Sequence, residues 1–139
     1  MKQAAGTAGR VHVLRLQPGE DPRAMLSAWV VSFGIEAAAV TSAVGSLTQV
    51  HLRYADRADG VVTTTDLEVI SLSGTLSIYG MHLHLSVADR NGRMLGGHLL
   101  DGCLVRTTLE LTVQEIVGVR MMRMKDGTTG YEELEPQAN

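Results

Sequence analysis

The sequence predicts an α+β domain, a mixed, largely antiparallel β-sheet carrying one or two packed helices. Three observations lead there. Apolar and polar residues alternate with period two along much of the chain. One segment has a capped helical stripe. The composition is 45% hydrophobic but only 4% aromatic, so Val, Leu, Ile, Met and Ala must fill the interior, as in a tightly packed aliphatic sheet. A chain of 139 residues fits one domain that buries roughly two thirds of the surface its unfolded form exposes.

Residues 11–16 (VHVLRL) alternate, with Val11, Val13 and Arg15 opposite His12, Leu14 and Leu16, which predicts a first strand buried on both faces. A helix follows. Asp21 stands at the N-cap, Pro22 at the first helical position, and Met25, Leu26, Trp29, Val30 and Phe33 recur at helical spacing until Gly34. From Ala38 to Tyr54 a break is expected at Gly45-Ser46, after which Val50, Leu52 and Tyr54 alternate with Gln49, His51 and Arg53. Val61–Thr65, Leu67–Leu72 and the stretch beyond Ser73-Gly74 read as several short strands. Met81–Asp89 alternates cleanly, with His82, His84, Ser86 and Ala88 on one face. Asn91-Gly92 then suits a two-residue hairpin turn. Cys103–Val113 and Val117–Met124 supply the last strands.

The ends read differently from the middle. Residues 1–9 are small and suggest a flexible lead-in, 10–125 a single domain, and 126–139 a flexible acidic tail containing Glu132, Glu133 and Glu135. Neither a signal peptide nor a membrane span is legible, so the expected location is cytoplasmic. A net charge of −3 argues against broad attraction to nucleic acid, which rests on cations displacing phosphate counterions. The lone Cys103 sits in an apolar strand and reads as a buried, unreactive thiol.

The chemistry concentrates in the histidines. His82 and His84, one residue apart on a strand, project from the same face about 7 Å apart and can converge on one ion. His98 lies across the hairpin, and three imidazoles with an open position are a recognised zinc site. Register complicates this, because an unbroken ladder from a two-residue turn sets His98 opposite Leu85, facing away. A one-residue bulge at Gly96-Gly97 would restore the parity; sharing the ion with a neighbouring subunit would avoid the need for it. Zinc is the expected metal, with nickel, copper and iron as alternatives. Glu68 and Glu110 are candidate partners that orient a ligating imidazole, whereas His12 and His51 read as ordinary hydrogen-bonded histidines. No nucleophile with a neighbouring base is visible, and no acid or base stands out beyond Glu68, Glu110 and Asp89, so no catalytic residue is assigned.

The run Gly80 to Asp89, followed by Gly92 and by Leu95-Gly96-Gly97-His98-Leu99, is similar to the signature of the PPC domain family. Leu67-Glu68 through Gly74 and Gly102-Cys103 through Glu110 resemble its flanking strands, and the likeness extends from about Arg10 to Met124. It implies a homotrimer and a histidine cluster near the subunit boundary that holds a metal in prokaryotic members. In plants the domain is joined to AT-hooks that bind the DNA minor groove. This sequence has no Arg-Gly-Arg-Pro hook. DNA association is therefore the alternative to a metal-binding trimer, with Arg10, Arg15, Arg120, Arg123 and Lys125 as its cations.

Overall fold

The computed structural model describes residues 1–139. The elements are β1 (Thr7–Leu16), α1 (Pro22–Phe33), β2 (Ala38–Arg53), β3 (Val61–Ser77), β4 (Gly80–Ala88), β5 (Met94–Leu99), β6 (Leu104–Val117), β7 (Val119–Lys125) and β8 (Glu132–Ala138). Six strands form one sheet in the order β1-β6-β2-β3-β4-β5, and β7 and β8 form a separate ribbon. Every pairing is antiparallel, so the sheet is simpler than the mixed one expected. The sheet also curls. β5 returns to the end of β2 through Leu52↔Leu99 and Arg53↔His98, closing a ring of β2, β3, β4 and β5.

A single helix is present. Its start follows from Asp21, whose carboxylate accepts the amide protons of Arg23 at 2.9 Å and Ala24 at 3.3 Å, satisfying donors that have no partner within the first turn. Its end follows from Gly34 in the left-handed region at φ 63, the usual stop for such a run. Leu26 and Val30 are buried and join the main core, while Met25 and Phe33 stay exposed. The helix thus covers the sheet with a narrower stripe than its sequence advertises.

Two expected breaks are bends within continuous strands. β2 runs through Gly45 and β3 through Gly74. At Gly74, φ is +138 and a Cβ would lie 1.9 Å from the carbonyl oxygen of His82, so only glycine allows β3 this close to β4. The core of 22 buried residues is mainly leucine and valine, drawn from α1 and the inward faces of the strands. The first strand is covered on one face only: Val11 and Val13 are exposed, because no other part of the chain packs over their face of the sheet.

The expected flexible tail is instead β8. β7 pairs with it from Val119↔Ala138 to Lys125↔Glu132, and a small second core of Ala37, Val119 and Met121 lies beneath the ribbon. The ribbon is tied down by Ser77 Oγ donating to Met121 O at 2.8 Å and by Met121 N donating to Glu36 O at 2.9 Å. No helix of the chain is long and apolar enough to cross a membrane.

Candidate metal centre

Leu83, Leu85 and Val87 are 2%, 3% and 0% exposed. Since strand side chains alternate, burying these three forces His82 and His84 onto the outer face of β4. His98 joins them through the hairpin. The loop holds three residues, Arg90, Asn91 and Gly92: Asp89 N donates to Arg93 O and Gly92 N donates to Asp89 O, both at 2.9 Å, with Gly92 at φ +75. That is a turn followed by a left-handed glycine bulge. The extra residue corrects the parity in the turn itself, and the ladder runs evenly from Ala88↔Met94 to His84↔His98. No bulge occurs at Gly96-Gly97. Gly97 serves a different purpose, because a Cβ there would lie 2.8 Å from Arg53 O. Its absence lets β2 approach β5, so His98 is fixed between β4 on one side and β2 on the other.

The donor atoms of His82, His84 and His98 all lie within 4.8 Å of one another. Ring centroids are separated by 5.0 Å for His82–His84 and His82–His98 and by 5.8 Å for His84–His98. Tetrahedral zinc with bonds of about 2.0–2.1 Å sets its nitrogens roughly 3.3 Å apart, and the His82 and His84 Nε2 atoms are 3.2 Å apart. The His82 and His84 spacing is therefore that of two ligands to one zinc ion, and His98 brings a third nitrogen within 4.8 Å of both. Burial, followed by the His84 and Arg123 charges, lowers the His82 pKa. Burial, followed by His82 and Arg53, pushes His98 down to about 4. Both rings are thus held neutral at physiological pH, the form a metal requires. Nδ1 of His98 is buried without a hydrogen-bond partner, and an unsatisfied buried polar atom costs about 1–3 kcal/mol.

The ribbon flanks the cluster, leaving His82 and His84 exposed. A cleft of about 400 Å³ runs from His82 and His98 to Arg23, Arg53, Arg123 and Tyr131, and a second, of about 340 Å³, flanks His82 and His84. Arg123 and Glu133 line both clefts. Arg123 Nη2 donates to Thr75 Oγ1 at 2.6 Å, and the Arg53 guanidinium lies 5.3 Å from the Tyr131 ring centroid. Sequence reasoning missed Tyr131 and Glu133 by assigning 126–139 to a tail. A signal was present, because basic 120–125 and acidic 132–135 are joined by the turn-forming residues 126–131, and Lys125 stands opposite Glu132, a charge-complementary hairpin pattern.

The other candidates lie elsewhere. Glu68 pairs with Ala88 and Ser46, and Ala88 stands four residues along β4 from His84, hence about 13 Å away. Glu110 stands opposite Arg15 and Val44. Neither reaches the histidine cluster. Asp89 accepts the amide protons of Asn91 at 2.8 Å and Arg93 at 2.9 Å, so its carboxylate shapes the hairpin. His12 pairs with Glu115 and His51 Nδ1 lies 2.7 Å from Asp101 O. Among the cations, Arg10 and Arg15 sit on β1 while Arg120, Arg123 and Lys125 sit on β7.

The Plants and Prokaryotes Conserved (PCC) domain profile matches residues 3–117. The chain belongs to this family. The PCC fold is shared with a hypothetical protein from Salmonella enterica, 44% identical, with a TM-score of 0.94 and 98% of each chain covered. It is shared too with a metal-containing protein from Archaeoglobus fulgidus, 27% identical, with a TM-score of 0.83 and coverage of 96% and 99%. Among curated relatives, a bifunctional GlmU protein from a Synechococcus strain is 45% identical over 125 residues, covering 90% of this chain and 20% of its own. The PCC chain thus spans about a fifth of the length of such relatives. A distant likeness, 28% over 127 residues covering 81% of this chain and 32% of the other, connects it to an AT-hook nuclear-localised protein of Arabidopsis thaliana.

Proposed function

We propose that this PCC protein is a metal-binding module in which His82, His84 and His98 hold one divalent transition ion, zinc in the first instance, with one coordination position open. The observation that carries this reading is the convergence of three histidine nitrogens within 4.8 Å on adjacent, fully paired strands. The metal-containing Archaeoglobus relative supports it. Bound there, such an ion supplies Lewis acidity and lowers the pKa of a coordinated water. The chain's own contribution is to hold His82 and His98 in the neutral form and to place the Glu133 carboxylate on the cleft wall beside His82.

The same reading has the protein assemble as a homotrimer, as the family resemblance implies. Val11, Val13, Val44 and Ile70, which are 60%, 79%, 58% and 52% exposed, support it, since apolar side chains on sheet surfaces gain from being covered. Elemental analysis of untagged protein is expected to give about one ion per chain, falling to near zero in His98→Ala, with a solution mass of three chains. Metal-free wild-type protein would sink the metal reading. A monomeric mass would sink the trimer. DNA association is the second reading, favoured by the AT-hook relative. It predicts salt-sensitive retardation of duplex DNA, and full mobility at low ionic strength would remove it.

A further inference from the structure

Three arginines and two glutamates line the cleft beside the histidines, and two of those arginines have no ion-pair partner. Arg23 is paired with Asp101 at 2.8 Å. Arg53 enters no ion pair and rests against Tyr131. Arg123 donates to the Thr75 hydroxyl, yet its Nε is buried with no acceptor. Glu132 and Glu133 share the wall, but neither is ion-paired with an arginine. A divalent ion held by three neutral imidazoles would add two further positive charges with no compensating protein ligand. Guanidinium groups match oxyanions because their planar fork donates two parallel hydrogen bonds.

We propose that this cleft takes a small molecule bearing a carboxylate or phosphate, one oxygen reaching the open metal position while Arg53 and Arg123 hold the others. The inference rests on the metal reading above and deepens it by naming the ligand class. The volume of about 400 Å³ exceeds what a bare inorganic anion fills and lies in the range of small-molecule pockets. The rest of the ligand would therefore extend along Tyr131 and Met81, both on the same wall.

The test uses the full chain loaded with cobalt(II), whose visible bands respond to a change in its coordination shell. Sodium acetate and inorganic phosphate are titrated separately at constant ionic strength. A saturable spectral change is expected with at least one of them, and the lower half-saturation concentration assigns the preferred oxyanion. Arg53→Gln should raise that concentration at least tenfold with cobalt stoichiometry and melting temperature unchanged, and Arg53→Lys should recover only part of the loss. If wild type and Arg53→Gln respond at the same concentration, or neither responds, the arginine-lined site is refuted while the metal reading stands. A chain that takes up no cobalt before any anion is added refutes both.

Discussion

Replacing Gly74 by alanine tests whether the bend that brings β3 against the histidine strand depends on a missing side chain. The new Cβ would lie 1.9 Å from His82 O, 2.9 Å from His82 C and 3.0 Å from Leu83 Cα, all backbone atoms, at a φ of +138. No rotamer relieves such a clash, so the two strands must separate by more than about 1 Å to reach ordinary contact distance. The backbone conformation costs about 1–3 kcal/mol for a residue with a Cβ, and each neighbouring ladder hydrogen bond that opens costs about 0.5–1.5 kcal/mol. The sum is about 3 kcal/mol. For a domain of this size that corresponds to a fall in melting temperature of about 10 °C. Circular dichroism melts of the chelator-treated protein measure it. Gly96→Ala is the internal control, because its Cβ meets Leu85 O at 3.4 Å, and it should stay within about 1 kcal/mol of wild type. A Gly74→Ala melt within 2–3 °C of wild type, roughly the shift produced by 1 kcal/mol or less, would show that the strands yield freely and the reasoning is wrong.

His82→Ala and His84→Ala, like His98→Ala, should each abolish stoichiometric metal; a variant that keeps full occupancy removes that residue from the ligand set. With the metal stripped, stability should fall as pH drops from 6.5 towards 4. His98 is held down to about 4 when folded against an ordinary value of 6.5, so the unfolded chain binds more protons in that window and the full stability is present above it. Because His98 is partly exposed, the effect amounts to a few degrees of melting temperature, and His98→Asn should flatten the slope; equal slopes would assign it to other groups. Cys103 is fully buried and its thiol is pushed up to about 11 by burial, so iodoacetamide at pH 8 should leave it unmodified until denaturant is added. Metal added at about one hundred times its dissociation constant should stabilise wild type by about 2.7 kcal/mol, and no shift in the melt would contradict binding to the folded state.

The parts of the fold that rest on local rules were legible from the residues. Asp21, Pro22 and Gly34 delimit the helix because capping depends on a few adjacent atoms. The period-two run of Leu83, Leu85 and Val87 dictates the outward face of His82 and His84 for the same reason. Strand continuity was harder to read. Gly45 and Gly74 carry the same signal whether they end a strand or bend it, and the choice depends on what the neighbouring strand's backbone does. Hairpin parity was misassigned because Asn91-Gly92 fits both a two-residue turn and a three-residue loop. The carboxylate of Asp89, accepting amide protons at Asn91 and Arg93, favours the longer one. Of the ribbon, β7 was legible in Val117–Met124 but β8 was not, since its acidity suggests a solvated tail unless the cations of β7 are set against it.

The seam where β5 meets the end of β2 gives the cluster an unusual mechanical status. His98 is held by β4 and, through Arg53, by the strand that closes the ring, whereas the ribbon above it lies beyond the residues matched to the family profile. The sheet that would grip an ion and the ribbon that lines the adjoining clefts are therefore separate pieces of chain. Mutations in the sheet threaten its closure, whereas mutations in the ribbon disturb a smaller unit anchored through Glu36, Thr75 and Ser77. A ribbon grafted from a relative should therefore carry that relative's ligand preference with it.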